Sequence, residues 1–148
     1  MESKNIQIRE LAALNIGSIS YNERGKEVTI KAESIPILCK MLHDPISKCR
    51  RAATRALVSL AQLKEGKVEI YDLDKLNRII ELINDEDPET RVNVFQLISS
   101  VAEYPPAREK FKECLGLLKE HTTDETNPLG ARFAKKAIQI IQWQPHLP

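Results

Sequence analysis

The chain has 148 residues, and 22 lysines and arginines nearly balance 21 aspartates and glutamates. This balance gives no overall attraction to nucleic acid or to an anionic membrane, and the 42% share of apolar residues excludes wholesale disorder. No apolar run approaches the roughly 20 residues that span a bilayer. The polar start has no signal-peptide core, and the three cysteines are far apart. We therefore expect one cytoplasmic domain over residues 1–148.

The sequence repeats itself with a period near 41 residues. Shifted by this period, residues 8–20 fall on residues 49–61 and then on residues 90–102. Such a period is typical of solenoids, in which stacked helical units bury each other's apolar faces. We therefore predict an all-α fold, a right-handed α-solenoid of about three and a half repeats. The predicted units are residues 5–43, 44–86 and 87–121, followed by a half unit at 127–143.

The first unit contains two apolar stretches whose spacings of three and four residues predict amphipathic helices, at 8–20 and 34–44. Gly25 follows the first stretch, in the place where a left-handed residue commonly ends a helix. The first helix carries apolar residues that no preceding unit would cover, and they are Ile6, Ile8, Leu11 and Leu14. We therefore expect a partner, a second copy or upstream repeats to cover this N-terminal face.

The second unit begins with HDPISKCRRA at 43–52, which places a helix-start dipeptide beside a cluster of positive charge. Asp44 is predicted as the N-cap and Pro45 as the first helical residue. Gly66 lies at the position in this unit that Gly25 occupies in the first unit. Cys49 is open to two interpretations, a thiol activated by nearby cations or a buried structural thiol. Its alignment with apolar or neutral positions favours the structural interpretation.

The basic cluster Lys48, Arg50, Arg51 and Arg55 is also open to two interpretations. An anion or nucleic-acid site is one, but no aromatic residues are interleaved to stack on bases, so nucleic acid is disfavoured as a partner. The other is a structural arginine plus a solvated helix face, in which the cations meet a carboxylate such as Asp44 or Asp85. Arg51 and Arg55 have no counterparts in neighbouring units, and we predict that these two face a partner.

The third unit replaces the glycine turn with Tyr104-Pro105-Pro106, and residues 105–121 are predicted as one helix. The last half unit, at 127–143, fits a spacing of 40 residues better than 41. Asp87-Pro88 and Asn127-Pro128 mark the two helix starts. Trp143 ends the final helix, where it either caps the stack or anchors a partner.

Catalytic and metal-binding motifs were not found. The three histidines, His43, His121 and His146, have no cysteine or histidine partner at ligand spacing. Nucleophile-elbow, phosphate-loop and zinc-protease motifs are missing as well. We therefore predict a protein that is not an enzyme and that uses no metal, cofactor or small-molecule substrate.

Two segments, 35–61 and 76–102, share a leucine-rich helix, an aspartate turn, an arginine and a second helix. This pattern resembles the armadillo/HEAT superfamily and implies a non-catalytic protein–protein interaction scaffold. The resemblance also implies a ladder between stacked units, built from an aspartate and the arginine six residues later. The expected ladder pairs are Asp44 with Arg50 and Asp85 with Arg91.

The same resemblance implies that the last helix of each unit lines the concave, protein-binding face. The candidate residues on this face are Lys40, His43, Asn77, Glu81, Asn84 and Lys112. Armadillo carriers of nuclear import signals use a ladder of tryptophan and asparagine there, and only Asn77 fits it. The mixed charges instead suggest a specific folded partner or a static assembly contact.

Spaced motifs along the chain are similar to the C-terminal repeats of radial spoke head 14 homologues, which are armadillo-repeat proteins of the ciliary axoneme. They include RGKEV at 24–28, YPPAREKF at 104–111 and RFAKKAIQIIQWQP at 132–145. The similarity implies a structural radial spoke component in the axoneme of motile cilia, with other spoke or axonemal subunits as partners. The alternative is a general cytosolic adaptor that binds peptides or proteins.

Overall fold

A computed structural model describes residues 3–145 and shows an all-helical solenoid, which confirms the predicted fold class. The α-helices are α1 (Ile6–Ile19), α2 (Glu23–Lys31), α3 (Ser34–Met41), α4 (Ser47–Leu60), α5 (Lys64–Asp72), α6 (Leu76–Glu81), α7 (Pro88–Val101), α8 (Pro105–Phe111), α9 (Leu115–His121) and α10 (Pro128–Ile141). Short 3-10 turns cover Leu82–Asn84 and Lys112–Cys114.

Each unit contains three helices, so the prediction of two per unit is wrong. The middle helices are α2, α5 and α8. They were missed because they are short and the first of them, ERGKEVTIK, is mostly polar. The prediction of one helix over 105–121 is also wrong, because this range contains two helices, α8 and α9. A 3-10 turn at Lys112–Cys114 separates a middle helix from a last helix.

Gly25 and Gly66 do not end helices in a left-handed conformation, since neither has a positive φ. Both lie inside middle helices, pressed against the end of the preceding first helix. A Cβ on Gly25 would lie 1.8 Å from the carbonyl oxygen of Ile19, and one on Gly66 would lie 2.0 Å from that of Leu60. Glycine is therefore required by close backbone approach. The left-handed residues are Glu33 (φ 59°) and Asp74 (φ 56°), each of which separates a middle helix from the last one.

The first helices of successive units form a continuous row, in which α1 packs on α4, α4 on α7, and α7 on α10. Their buried faces supply much of the core, and the largest side chains there include Leu57, Phe95 and Ile98. Burying each such side chain stabilises the fold by about 1.5–3 kcal/mol. The helix α10 begins 40 residues after α7, which agrees with the shorter spacing read from the sequence.

The helix starts follow the expected chemistry at two of three places. The side chain of Asp87 accepts from the backbone N–H of Thr90, and that of Asn127 accepts from Gly130, each with proline as the next residue. Asp44 does not cap a helix, because α4 begins at Ser47. Its carboxylate instead accepts from the N–H of Ile46 (2.9 Å) within the preceding turn.

Candidate functional site

The last helices of the three units are joined side by side by polar contacts. Nε of Arg78 on α6 donates to the carbonyl oxygen of Leu42, at the end of α3 (2.9 Å). Nε2 of His121 on α9 donates to Oδ1 of Asn84, in the 3-10 turn after α6 (2.8 Å). These bonds connect the three units along one surface, which we call the α3/α6/α9 face.

Most of the predicted binding residues lie exposed on this face, but not all of them have free side chains. Lys40, His43 and Asn77 are exposed. Glu81 accepts from Arg78 within its own helix (2.9 Å). The amide oxygen of Asn84 is occupied by the histidine of the next unit. The side chains of His43 and Asn77 reach solvent from this face without a hydrogen bond to any residue in the range 3–145.

The two histidines of the face share one electrostatic trend. Burial lowers the pKa of His43 below its usual value, and the nearby cations Arg78 and Lys75 lower it further. Burial also lowers the pKa of His121, with Arg91 adding to the effect. Both imidazoles are therefore neutral at neutral pH and add no positive charge to the face.

Lys112 does not belong with the other candidates. It lies in the 3-10 turn before α9, and its ammonium pairs with Glu109 of α8 (2.7 Å). It lines a cavity of about 440 Å³ together with Arg108 and Trp143, beside α10. The assignment to the binding face was wrong because the predicted single helix over 105–121 concealed the break.

The ladder residues meet, but not in the predicted pairs. Each arginine binds the aspartate of the following unit: Nε of Arg9 lies 2.7 Å from Asp44, and Nε of Arg50 lies 2.8 Å from Asp85. The guanidinium of Arg50 also donates to the backbone carbonyl oxygen of Asp44 (2.9 Å). The pairing of Asp44 with Arg50 through their side chains is therefore wrong, because the aspartate six residues earlier offers its backbone rather than its carboxylate.

The ladder stops at the third unit. Arg91 donates to the backbone carbonyl oxygen of Asp85 (2.8 Å), as the previous ladder arginine does one unit earlier. The predicted side-chain pair of these two residues does not form. Asp124 is the equivalent of Asp85 in the last half unit, because its carboxylate accepts from the N–H of Thr126 as that of Asp85 accepts from the N–H of Asp87. Hydrogen bonds from Thr126 lower the pKa of Asp124 and the charge of Arg91 lowers it further, but no hydrogen bond or ion pair joins the Arg91 and Asp124 side chains within residues 3–145. Nε of Arg91 is buried and has no hydrogen-bond partner within the described part of the chain.

Burial and ion pairing compete at the ladder carboxylates. Burial raises the pKa of Asp44, but hydrogen bonds from Arg9 and from the N–H of Ile46 outweigh it, and the pKa falls below its usual value. The same pairing raises the pKa of the Arg9 guanidinium. Both groups are therefore charged over the whole physiological range, and the pair fixes the register of α1 on α4.

Arg51 forms a second ion pair between units. Its Nε and Nη2 donate to the two carboxylate oxygens of Asp87, at 2.8 and 2.7 Å. The same carboxylate accepts from the N–H and the hydroxyl of Thr90. These bonds lower the pKa of Asp87 to about 2. One aspartate thus caps α7 and ties it to α4, and a bidentate pair of this kind fixes orientation as well as distance.

The other two predicted partner-facing residues are exposed. The side chain of Arg55 makes no ion pair or hydrogen bond to any residue in the range 3–145. The ring of Trp143 is 56% exposed, and the guanidinium of Arg108 lies 5.0 Å from its centre. The tryptophan therefore covers part of the C-terminal end while leaving more than half of its surface open.

The first helix exposes the apolar side chains that the sequence indicated: Ile6 is 39%, Ile8 52%, Leu11 57% and Leu14 43% exposed. In α4 the residues aligned with Ile8 and Leu11 are Cys49 and Ala52, and both are buried. Sγ of Cys49 lies 3.7 Å from the carbonyl oxygen of Ile6, so α1 covers this side of α4. Within residues 3–145, no residue covers the same side of α1.

The cysteines are not activated. Burial raises the pKa of Cys39 to about 12 and that of Cys114 to about 11, and burial also raises the pKa of Cys49. All three thiols are buried. Among residues 3–145, no group of three or more histidine, cysteine, aspartate or glutamate side chains is arranged to hold a metal ion.

The sequence-based predictions missed several residues of these networks. Nδ2 of Asn93 donates to the hydroxyl of Thr54 across the α4–α7 junction (3.1 Å). Nζ of Lys67 donates to the carbonyl oxygen of Ala61 at the end of a first helix (2.7 Å), and Arg108 binds Ala102 in the same way one unit later. The shared 41-residue spacing of Lys67 and Arg108 was the available signal.

Comparison with known proteins supports the repeat architecture. Residues 35–63 match the HEAT repeat family. No curated protein matches the sequence. A designed armadillo repeat protein superposes with a TM-score of 0.87 at 18% identity, covering 95% of this chain and 61% of its own. Computationally designed armadillo repeat proteins for modular peptide recognition superpose with a TM-score of 0.85 at 19% sequence identity, and the match covers 94% of this chain and 60% of that chain.

A third solved structure is a designed armadillo repeat protein in complex with the peptide (KR)4. It superposes with a TM-score of 0.85 at 18% identity, covering 95% of this chain and 61% of its own. The present chain thus spans about three fifths of the length of these structures. At such low identity the likeness shows the fold alone, and this repeat fold is typical of non-enzymatic scaffolds. Within residues 3–145, the helices are too short or too polar to cross a membrane.

Proposed function

We propose that this chain is a non-catalytic scaffold that binds another protein through its α3/α6/α9 face. One observation carries the proposal: hydrogen bonds from Arg78 and His121 connect the last helices of three units into one continuous surface. A surface of this kind can contact a partner over several units at once, and solenoids commonly use such extended faces.

The character of the face favours a specific protein partner over a basic peptide. His43 is neutral, and the charges of Arg78 and Glu81 compensate each other. One related fold in the comparison binds a peptide of alternating lysine and arginine. The present face offers no row of carboxylates for such a peptide, so shape and hydrogen bonding would decide its affinity.

The test is a matched pair of arginine substitutions. Asn77→Arg adds bulk and one charge at the centre of the face, whereas Gln139→Arg adds the same group to an exposed position of α10. The partner should be recovered with wild-type protein and with Gln139→Arg, and lost with Asn77→Arg. Equal recovery with both variants would contradict the assignment of this face.

We further propose that the partner is a radial spoke or axonemal subunit and that the protein is a structural component of motile cilia. The support is the similarity of the spaced motifs at 24–28, 104–111 and 132–145 to the radial spoke head 14 homologues. Affinity purification from ciliated cells, followed by mass spectrometry, tests the proposal. Recovery of partners that include no spoke or axonemal protein would refute it.

A general cytosolic adaptor is the competing function, and it would use the same face. The two functions differ in localisation. A tagged copy that decorates the axoneme supports the ciliary component, whereas a diffuse cytosolic signal supports the adaptor.

The uncovered side of α1 is proposed as a second contact, closed by a partner or by another copy. Its support is the exposure of Ile8 and Leu11, at positions whose equivalents in α4 are buried. Analytical ultracentrifugation and binding of a hydrophobic dye test this contact together. A monomer that binds no dye would contradict it.

A further inference from the structure

A groove of about 740 Å³ lies between α1 and α4, lined by residues of the first helices rather than of the α3/α6/α9 face. Its volume falls within the roughly 300–1,000 Å³ of ordinary ligand sites. Small residues line its floor: Ala13 and Gly17 from α1, and Ala52 and Ala56 from α4. A Cβ built on Gly17 would lie 3.9 Å from Ala56, in ordinary van der Waals contact, so a side chain can be added there without a clash with α4.

The next junction of the same molecule fills the equivalent space. Between α4 and α7, the residues one repeat further on are Val58 for Gly17, Asn93 for Ala52 and Leu97 for Ala56. The asparagine bridges the junction by its bond to the hydroxyl of Thr54. The groove is therefore not a general property of the repeat, and it follows from the small residues at this junction.

The rim of the groove is positively charged, and none of the described residues that line it is an aspartate or glutamate. Arg55 and Lys26 both line it, and neither is paired within residues 3–145. At the place of Lys26, the later units carry Lys67 and Arg108, which are bound to helix-end carbonyl groups. At the place of Arg55, the third unit carries uncharged Gln96. Two cations without partners therefore face the same space.

A buried hydroxyl adds an independent sign of a ligand. Ser20 lines the groove, is fully buried, and its Oγ has no hydrogen-bond partner in the described structure. The later units carry Ala61 and Ala102 at this place. An unpartnered buried hydroxyl costs about 1–3 kcal/mol, and a ligand atom that accepts its hydrogen bond would remove this cost.

We propose that the α1–α4 groove binds an acidic, partly apolar peptide segment of a second protein. A carboxylate of the segment lies between Arg55 and Lys26, and a neighbouring carboxylate or carbonyl oxygen accepts from Ser20. An apolar side chain packs against Leu14 and Tyr21, which are 43% and 87% exposed at the rim. Nucleic acid fits less well, because tracking a phosphate backbone requires more than two cations.

The test uses variants that copy the chain's own later units. Gly17→Val fills the groove as Val58 fills the next junction, Arg55→Gln removes one cation, and Ser20→Ala removes the hydroxyl. Each introduced residue occurs at the same repeat position elsewhere, so the fold is expected to persist, which thermal melting by circular dichroism verifies. Lys136→Gln is the matched control, because this exposed lysine of α10 lies in the same row as Arg55.

The probe is a fluorescein-labelled peptide with the sequence Glu-Leu-Asp-Leu repeated three times, measured by fluorescence anisotropy. Its amide analogue, Gln-Leu-Asn-Leu repeated three times, and a single-stranded oligothymidine of the same length are the comparison ligands. We expect the acidic peptide to bind at least about tenfold more tightly than the amide analogue, since charge-assisted hydrogen bonds contribute roughly this much.

Arg55→Gln and Gly17→Val should each weaken binding of the acidic peptide at least about fivefold, and Lys136→Gln should leave it unchanged. Three results would overturn the proposal: no binding of the acidic peptide, equal binding by Gly17→Val, or tighter binding of the oligothymidine. If Gly17→Val fails to fold, Arg55→Gln decides the outcome, and undiminished binding of the acidic peptide by Arg55→Gln would overturn the proposal. Asn77→Arg should not affect this binding, so failure here is distinct from failure of the α3/α6/α9 face.

Discussion

The ion pair between Arg51 and Asp87 gives the sharpest stability prediction, because its geometry and its electrostatics agree. Two hydrogen bonds of 2.8 and 2.7 Å join the groups, and the Asp87 side chain is only 11% exposed. Its pKa falls from 3.8 to about 2. At about 1.36 kcal/mol per pKa unit, this difference corresponds to about 2 kcal/mol.

The ion pair itself accounts for only part of this energy. Thr90 also lowers the pKa of Asp87 through two hydrogen bonds, and the Arg51 side chain is 38% exposed, so solvent screens the pair. We therefore expect a coupling energy of about 1 kcal/mol from a double-mutant cycle of Arg51→Gln and Asp87→Asn. Asparagine caps helices as well as aspartate does, so Asp87→Asn removes the charge but keeps the cap.

The sign of the pH dependence follows from the lowered pKa. A carboxyl group whose pKa is lower in the folded state stabilises fully above its unfolded value and loses this contribution as the pH falls through the folded value. The stability advantage of wild type over Asp87→Asn should thus be complete above about pH 5 and be mostly lost by about pH 2. Urea unfolding followed by circular dichroism measures it. A coupling below about 0.3 kcal/mol, or an advantage that is undiminished at about pH 2, would refute the reasoning.

Three further predictions concern the ladder, the glycines and the thiols. Arg50→Met should lower the free energy of unfolding by about 3–5 kcal/mol, because it leaves the buried Asp85 carboxylate without its cation. Adding Asp85→Leu should recover most of the loss, and a double variant as unstable as the single one would contradict a charge effect. Gly66→Ala should destabilise, since its Cβ would overlap the carbonyl oxygen of Leu60, whereas Gly116→Ala, with open space around its Cβ, should stabilise by up to about 1 kcal/mol. Chemical denaturation compares the two, and similar effects would contradict the close approach. The thiols should not react with a disulfide reagent at pH 8 in the folded protein, because burial raises their pKa values, and all should react in urea. Rapid labelling of folded protein would contradict this.

The period of the sequence predicted the solenoid because the first helices repeat the same apolar positions in every unit. The middle helices escaped detection because they are short and bury few residues, such as Thr29 in α2. A glycine signal was read as a turn, although Gly25 and Gly66 mark a close contact between helices. A recurring glycine shows that a position tolerates no side chain, but the sequence does not show which neighbouring backbone excludes the side chain.

The candidate site was predicted less completely than the fold. The α3/α6/α9 face could be located because the last helices have a recognisable apolar register. Lys112 was misplaced by one unseen 3-10 turn, and the ladder was paired within units because sequence spacing cannot distinguish a carboxylate from its own backbone carbonyl. No sequence motif indicates the α1–α4 groove. It exists because Gly17, Ala52 and Ala56 have side chains too small to fill the space between the two helices.

The end of the arginine ladder sets an order in which the stack comes apart. An ion pair between Arg9 and Asp44 stabilises the α1–α4 junction, and one between Arg50 and Asp85 stabilises the α4–α7 junction. Separating either pair of helices therefore breaks an ion pair. At the α7–α10 junction Asp124 holds the equivalent turn, but within residues 3–145 no hydrogen bond or ion pair joins its carboxylate to Arg91. We therefore expect α10 to separate from the stack before α4 during partial unfolding, because its contact with α7 has no ion pair of this kind.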